Sequence, residues 1–129
     1  MLRDFWFCGI GPDYEAFITV YPAYAVHGTY AAHAHNLYLQ LLCDSGIVGL
    51  LVFLGLMMSY YRMMLTAIRH ERDRRARVLQ IGGVSAVSGF LVQSLTDYTF
   101  YNFPVTLLFL GILGLSVLFT RVGRQEMRS

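Results

Sequence analysis

Apolar and polar positions divide the chain into three long apolar runs, the last two uncharged, with clusters of arginine after the first and the third, preceded by a punctuated, aromatic-rich stretch. A helix that crosses a bilayer keeps about 20 largely apolar residues in the hydrocarbon, and the runs predict spans over about 46–66, 78–96 and 104–120. Arg62 falls near the end of the first, where its long stem can carry the charge to the headgroups. The second carries Gly82, Gly83, Ser85, Ala86, Ser88 and Gly89, small residues that let helix backbones approach closely and favour packing on protein over lipid. The third opens with Pro104, tolerated in a first helical turn, and holds Gly111 and Gly114 within a Leu-rich run. A soluble three-helix core is the competing reading, and uncharged runs of near-span length argue against it. The expectation is an all-α membrane protein: an outward-facing, partly helical segment over 1–45, three transmembrane helices within 46–120, and a tail over 121–129.

Within the first 45 residues, Gly9-Ile10-Gly11-Pro12 predicts a turn, Tyr14-Glu15-Ala16-Phe17 a short helix and Tyr21-Pro22 a break. Tyrosine and tryptophan at this density suit a membrane interface. Tyr14 occupies the place of the third glycine of a dinucleotide-binding fingerprint, so the turn is not read as one. Met1 to Trp6 has neither a basic region followed by an apolar one nor a small-residue cleavage site, so no signal peptide is read there. Asn36 is placed to cap a short helix, and Asn36, Gln40 and Asp44 recur every four residues as one polar stripe among Leu37, Leu39, Leu41 and Leu42. That stripe is either a solvated face or part of a site. Gln93 and Asp97 form a second i,i+4 polar pair at the outer end of the second predicted span, and ionisable groups at membrane depth point to function.

Composition supports the membrane reading: 56% hydrophobic and 14% charged residues, with a mean hydropathy of +0.49, lie outside the usual soluble balance. A net charge of +2 is too small to argue for nucleic acid. Arg69, Arg72, Arg74, Arg75 and Arg77 crowd one loop and Arg121, Arg124 and Arg128 follow the third run, which places both in the cytoplasm and the N-terminal segment and 97–103 outside. Glu71 and Asp73 interrupt the first cluster, so it reads as a topological anchor. Cys8 and Cys43 are in neither a CxxC nor a zinc-ligand spacing and read as free thiols.

The histidines carry the chemistry. An imidazole titrates near neutrality and can take a proton from a hydroxyl nucleophile, the general-base role in glycosyl or acyl transfer. Metal binding is a second reading: His33 and His35 would point the same way from an extended segment, with His27 or Asp44 completing a site. Interfacial packing is a third. There is no Gly-x-Ser-x-Gly nucleophile elbow.

Gly9-Ile10-Gly11-Pro12 followed by Phe17 and Tyr21-Pro22-x-Tyr24, then His35-Asn36-x-Tyr38-Leu39-Gln40, then Asp44-x-Gly46-Ile47-x-Gly49-Leu50, resemble in order and spacing the C-terminal part of the O-antigen ligase and O-antigen polymerase family of bacterial membrane proteins. Gly89 to Gln93, Thr96-Asp97-Tyr98 and Tyr101-Asn102 are similar to the end of that family's penultimate helix. The resemblance implies a metal-independent glycosyltransferase of the GT-C type, without a cofactor, that moves a glycan from an undecaprenyl-diphosphate carrier to a hydroxyl of an acceptor glycan or lipid on the outer face of the bacterial inner membrane. It implies His35 as the base and Asn36, Gln40, Asp44, Asp97 and, less directly, His33 as its support. Asp44 stands where glutamate is commoner, Asp13 where glycine is usual, and Phe103-Pro104-Val105 where Tyr-Arg-Val is more usual. Family members carry about ten or more spans, so the chain is expected to be a fragment or split remnant, inactive without N-terminal helices that supply diphosphate-binding arginines; Arg3 is the only arginine on its outward segment. The alternative is a non-enzymatic small integral membrane protein that packs against a larger membrane partner.

Overall fold

The structure, a computed structural model, describes residues 1–25 and 31–126. His27 lies outside the described residues. The elements are α1 (Leu2–Phe5), α2 (Tyr14–Val20), a 3-10 turn (Tyr21–Ala23), α3 (Leu37–His70), α4 (Arg74–Gln93), a second 3-10 turn (Thr99–Tyr101) and α5 (Phe103–Glu126). No strand occurs among the described residues. The predicted short helix and its break are present: Asp13 caps α2 by accepting from the Glu15 N–H at 3.3 Å, and Pro22 sits in the turn that ends it.

Two of these helices, α3 and the stretch Phe103–Thr120 of α5, are long and apolar enough to cross a membrane. Only 22% and 17% of their most apolar stretches are buried within the protein, whereas the core helix of a soluble protein would be mostly covered. Two helices, not the three expected, therefore meet the length and apolarity of a span. α4 ends at Gln93, short of the predicted 96, and begins with Arg74, Arg75 and Arg77. Its uncharged part, Val78 to Gln93, rises about 24 Å against about 30 Å of hydrocarbon, and Gln80 with Gly82, Gly83, Ser85, Ser88 and Gly89 dilutes its apolar character further.

The chain forms two compact units. The first comprises 1–55 and 93–99. Its centre is a clamp between the glycine turn and the first third of α3. Gly46 has φ 64 and ψ −167, which breaks α3 into two helical pieces. At that break the Ile10 N–H donates to the Cys43 carbonyl at 2.8 Å, the Gly11 N–H to the Asp44 carbonyl at 2.9 Å and the Ile47 N–H to the Trp6 carbonyl at 2.7 Å. Backbones meet so closely that a Cβ on Gly9 would lie 2.3 Å from the Asp44 carbonyl oxygen, and one on Gly46 2.1 Å from that of Phe7. Both glycines also have positive φ, the region other residues avoid. Phe17, Leu37 and Cys43 are buried in this unit; Cys8 and Cys43 are free thiols, the former exposed.

The second unit comprises 56–92 and the described residues from 100 onward. Phe90 stacks on Phe109 with ring centroids 4.2 Å apart, with Phe100 against both. Tyr60 hydrogen-bonds Ser116 at 3.1 Å, and Tyr61 bonds Ser88 at 2.7 Å. Of the small residues expected to allow close approach, Gly83 does so, with its Cβ position 2.7 Å from that of Ser116; Gly82, Gly89, Gly111 and Gly114 meet nothing within 4 Å. The acids inside the arginine cluster have local work: Asp73 caps α4 through the Arg75 and Ala76 N–H groups, and buried Glu71 accepts from Gln80.

Candidate functional site

The site belongs to the first unit and is built from the segment before α3 and the turn after α4. Asn36 begins it, with Oδ1 accepting from the Leu39 N–H at 3.0 Å, the cap contact expected of it. Its Nδ2 donates to the Leu95 carbonyl at 2.7 Å, and the Leu37 N–H donates to the Ser94 carbonyl at 2.9 Å. Ser94 and Thr99, both buried, join their hydroxyls at 2.7 Å across the turn. The start of α3 and residues 94–99 are thereby held together.

Gln40 and Asp44, 3% and 8% exposed, decide between the two readings of the polar stripe: it is an internal ladder, not a solvated face. Gln40 Nε2 donates to Asp44 Oδ1 at 2.8 Å, and Gln40 Oε1 accepts from the Ala34 N–H at 2.8 Å. The second bond pins the backbone between His33 and His35. His35 has φ 47, the only positive φ outside glycine among the described residues, and its N–H donates to His33 Nδ1 at 3.3 Å. Such outliers cost about 1–3 kcal/mol and cluster at functional sites. The bend brings the two imidazoles to a centroid distance of 4.2 Å.

Asp97 completes the group. Its Oδ1 accepts from the Tyr98 N–H at 2.8 Å and lies 4.0 Å from His35 Nδ1. Nitrogen and oxygen donors of His33, His35 and Asp97 all fall within 4.8 Å of one another. Tyr98 packs beside His33 at 5.7 Å. Burial lowers the His33 pKa from its ordinary value, the neighbouring His35 adds to the shift, and the Asp97 charge opposes it. Burial and the Asp44 charge raise Tyr98, which keeps it a neutral phenol. Beside the histidines opens a cleft of about 460 Å³, lined by Phe17, Tyr21, Tyr24, His33, His35 and Leu39 among others.

The structure thus gathers His33, His35 and Asp97, with Asn36 and Gln40 as props; Asp44 holds Gln40 and is not part of the three-residue cluster. Gln93 and Asp97 do not share a helix face, because α4 stops at Gln93 and Asp97 lies in the following turn. Tyr98, named in the resemblance, was given no place in the site from sequence, and the Ser94 and Leu95 carbonyls were not singled out at all; the ring beside Asp97 was the available signal for the first, and backbone acceptors leave none. The sequence model of a family described as O-Antigen ligase matches residues 1–54. The matched stretch contains the glycine clamp, both histidines and the Asn36 to Asp44 ladder, and ends before Asp97. Comparison with curated proteins and with solved structures gives no match.

Proposed function

We propose that this chain is the acceptor-side portion of a membrane glycan ligase or polymerase related to the O-antigen ligases, with His35 as general base. The observation that carries the reading is the pairing of His35 with Asp97 at 4.0 Å, at the edge of an aromatic-lined cleft, within a unit whose larger part matches the O-antigen ligase family. In the reaction, an acceptor hydroxyl enters the cleft and His35 takes its proton. The alkoxide oxygen attacks the anomeric carbon of the glycan, the bond from that carbon to the carrier diphosphate breaks, and undecaprenyl diphosphate leaves with the electron pair. Asp97 orients the imidazole and stabilises the imidazolium, the part an acid plays beside a catalytic histidine. Tyr21 and Tyr24 offer flat apolar faces to the C–H faces of a sugar ring, with buried Phe17 stacked behind Tyr21.

The departing diphosphate needs positioned cations or donors. The first unit contributes Arg3 alone among arginines, so transfer requires further membrane helices carrying cations to this cleft. The chain sits in the bacterial inner membrane with 1–45 and 97–103 outside and the arginine turn 69–77 and the C-terminal end inside, as the arginine distribution favours; this arrangement has α4, shorter and less apolar than α3 and α5, carry the chain back to the outer side. Lipid-linked donor transfer is assayed with the chain alone and with those helices co-expressed. The chain alone is expected to be silent and the assembly active, with His35→Ala lowering turnover by about 10²- to 10⁴-fold and chelators leaving it unchanged. An assembly that transfers glycan equally well with His35→Ala overturns the reading.

A further inference from the structure

We propose that His33, His35 and Asp97 form a binding site for a first-row divalent cation of the Zn²⁺ type, and that its occupancy silences His35 as a base. Two imidazoles and one carboxylate come from two chain segments, with donor atoms within 4.8 Å of one another. Donors around tetrahedral Zn²⁺, at bonds of about 2.0–2.1 Å, stand about 3.4 Å apart. Closing the 4.0 Å between His35 Nδ1 and Asp97 Oδ1 therefore takes a fraction of an ångström. The side chains that must turn are 69% and 54% exposed, so they can do so without disturbing a core. His33 Nδ1 accepts from the His35 N–H at 3.3 Å, a long bond that the ion would replace in taking that lone pair. The positive φ of His35 and the Gln40 bond to the Ala34 N–H fix the bend that sets the rings together.

The donor set selects the ion. Imidazole nitrogens suit Zn²⁺, Cu²⁺ or Ni²⁺, whereas Mg²⁺ and Ca²⁺ prefer all-oxygen shells. Three protein ligands with the open face of the cluster leave a fourth position for water. Since the metal takes the His35 lone pair, the ion competes with the proton that His35 would accept from the acceptor hydroxyl. That consequence rests on the base assignment above; the binding itself does not.

The test titrates Zn²⁺ into tag-free chain in detergent or nanodiscs by calorimetry, with Co²⁺ as the spectroscopic probe. One-to-one binding is expected, weakened at least about tenfold by each of His33→Ala, His35→Ala and Asp97→Asn, since loss of even an outer-shell partner costs about 10- to 100-fold. His70→Ala, whose ring bonds the Thr66 carbonyl in the other unit, leaves affinity unchanged. In the unsubstituted chain, Co²⁺ shifts the ring protons of His33 and His35 and not those of His70, a readout independent of whether a variant folds. Affinity unchanged in all three variants, or lost on replacing His27 or Cys8 instead, overturns the site. Binding by the cluster without inhibition of transfer by the assembled enzyme would uphold the site and remove His35 as the base.

Discussion

Gly46→Ala tests whether the clamp between the glycine turn and α3 holds the site together. A methyl at this position would sit 2.1 Å from the Phe7 carbonyl oxygen and 2.8 Å from the Cys8 nitrogen, so the two backbones must separate by more than an ångström. Separation lengthens the Ile47 to Trp6 bond of 2.7 Å and strains its neighbours from Ile10 and Gly11, each worth about 0.5–1.5 kcal/mol net. The φ of 64 with ψ of −167 lies in a region nearly confined to glycine, adding about 1–3 kcal/mol for alanine. Together the clamp loses about 3 kcal/mol, or about 100-fold in the population of its opened form at 1.4 kcal/mol per decade. Cys43 reports this directly, because it is 5% exposed and its carbonyl is one of the clamped acceptors. With Cys8 replaced by Ser, maleimide labelling of Cys43 should accelerate about 100-fold in Gly46→Ala. Gly55→Ala, where a Cβ meets nothing within 4 Å, should label at the parent rate. Equal rates in Gly46→Ala and the parent would refute the clamp.

Single cysteines at Arg72 and at Thr96, in a chain without Cys8 and Cys43, should be respectively protected from and labelled by an impermeant reagent in intact cells; labelling at Arg72 would invert the proposed orientation. His33 should titrate below about 6.5 when followed by its ring proton resonances. His35→Gln should raise its midpoint and Asp97→Asn lower it further, because the first removes a repelling neighbour and the second an attracting one. By linkage a histidine with a depressed folded pKa binds fewer protons folded than unfolded, so its contribution is complete above about 6.5 and declines on acidification through the lowered value; the stability difference between the parent and His33→Gln should shift accordingly between pH 7 and pH 5. Gly83→Val should destabilise the α4 and α5 contact at Ser116 by about 1–3 kcal/mol in thermal unfolding, and Gly82→Val, which meets open space, should not.

Much of the site was legible because its parts carry local signals. A helix cap needs a side chain with an acceptor at one position, and Asn36 supplies it; a stripe at fourfold spacing must share a helix face, and Asn36, Gln40 and Asp44 do. What the spacing could not show was which way that face points. Burial of Gln40 and Asp44 depends on partners more than five residues away, the Ala34 N–H for one and the glycine turn for the other. The second predicted span fell short for a similar reason. Charge gaps locate apolar runs but not helix ends, and 94–97 leave the helix because Ser94, Leu95 and Asp97 serve the His-bearing segment instead of the α4 ladder. Asp97 was selected from sequence as one of a helical pair with Gln93, and its position beside His35 depends on that pair not existing: had α4 continued past Gln93, its carbonyls at 94 and 95 would have been taken up within the helix and could not anchor Leu37 and Asn36. The end of α4 and the assembly of the His35–Asp97 pair are therefore one structural event, and a substitution that extends α4 should separate the pair even though it touches neither residue.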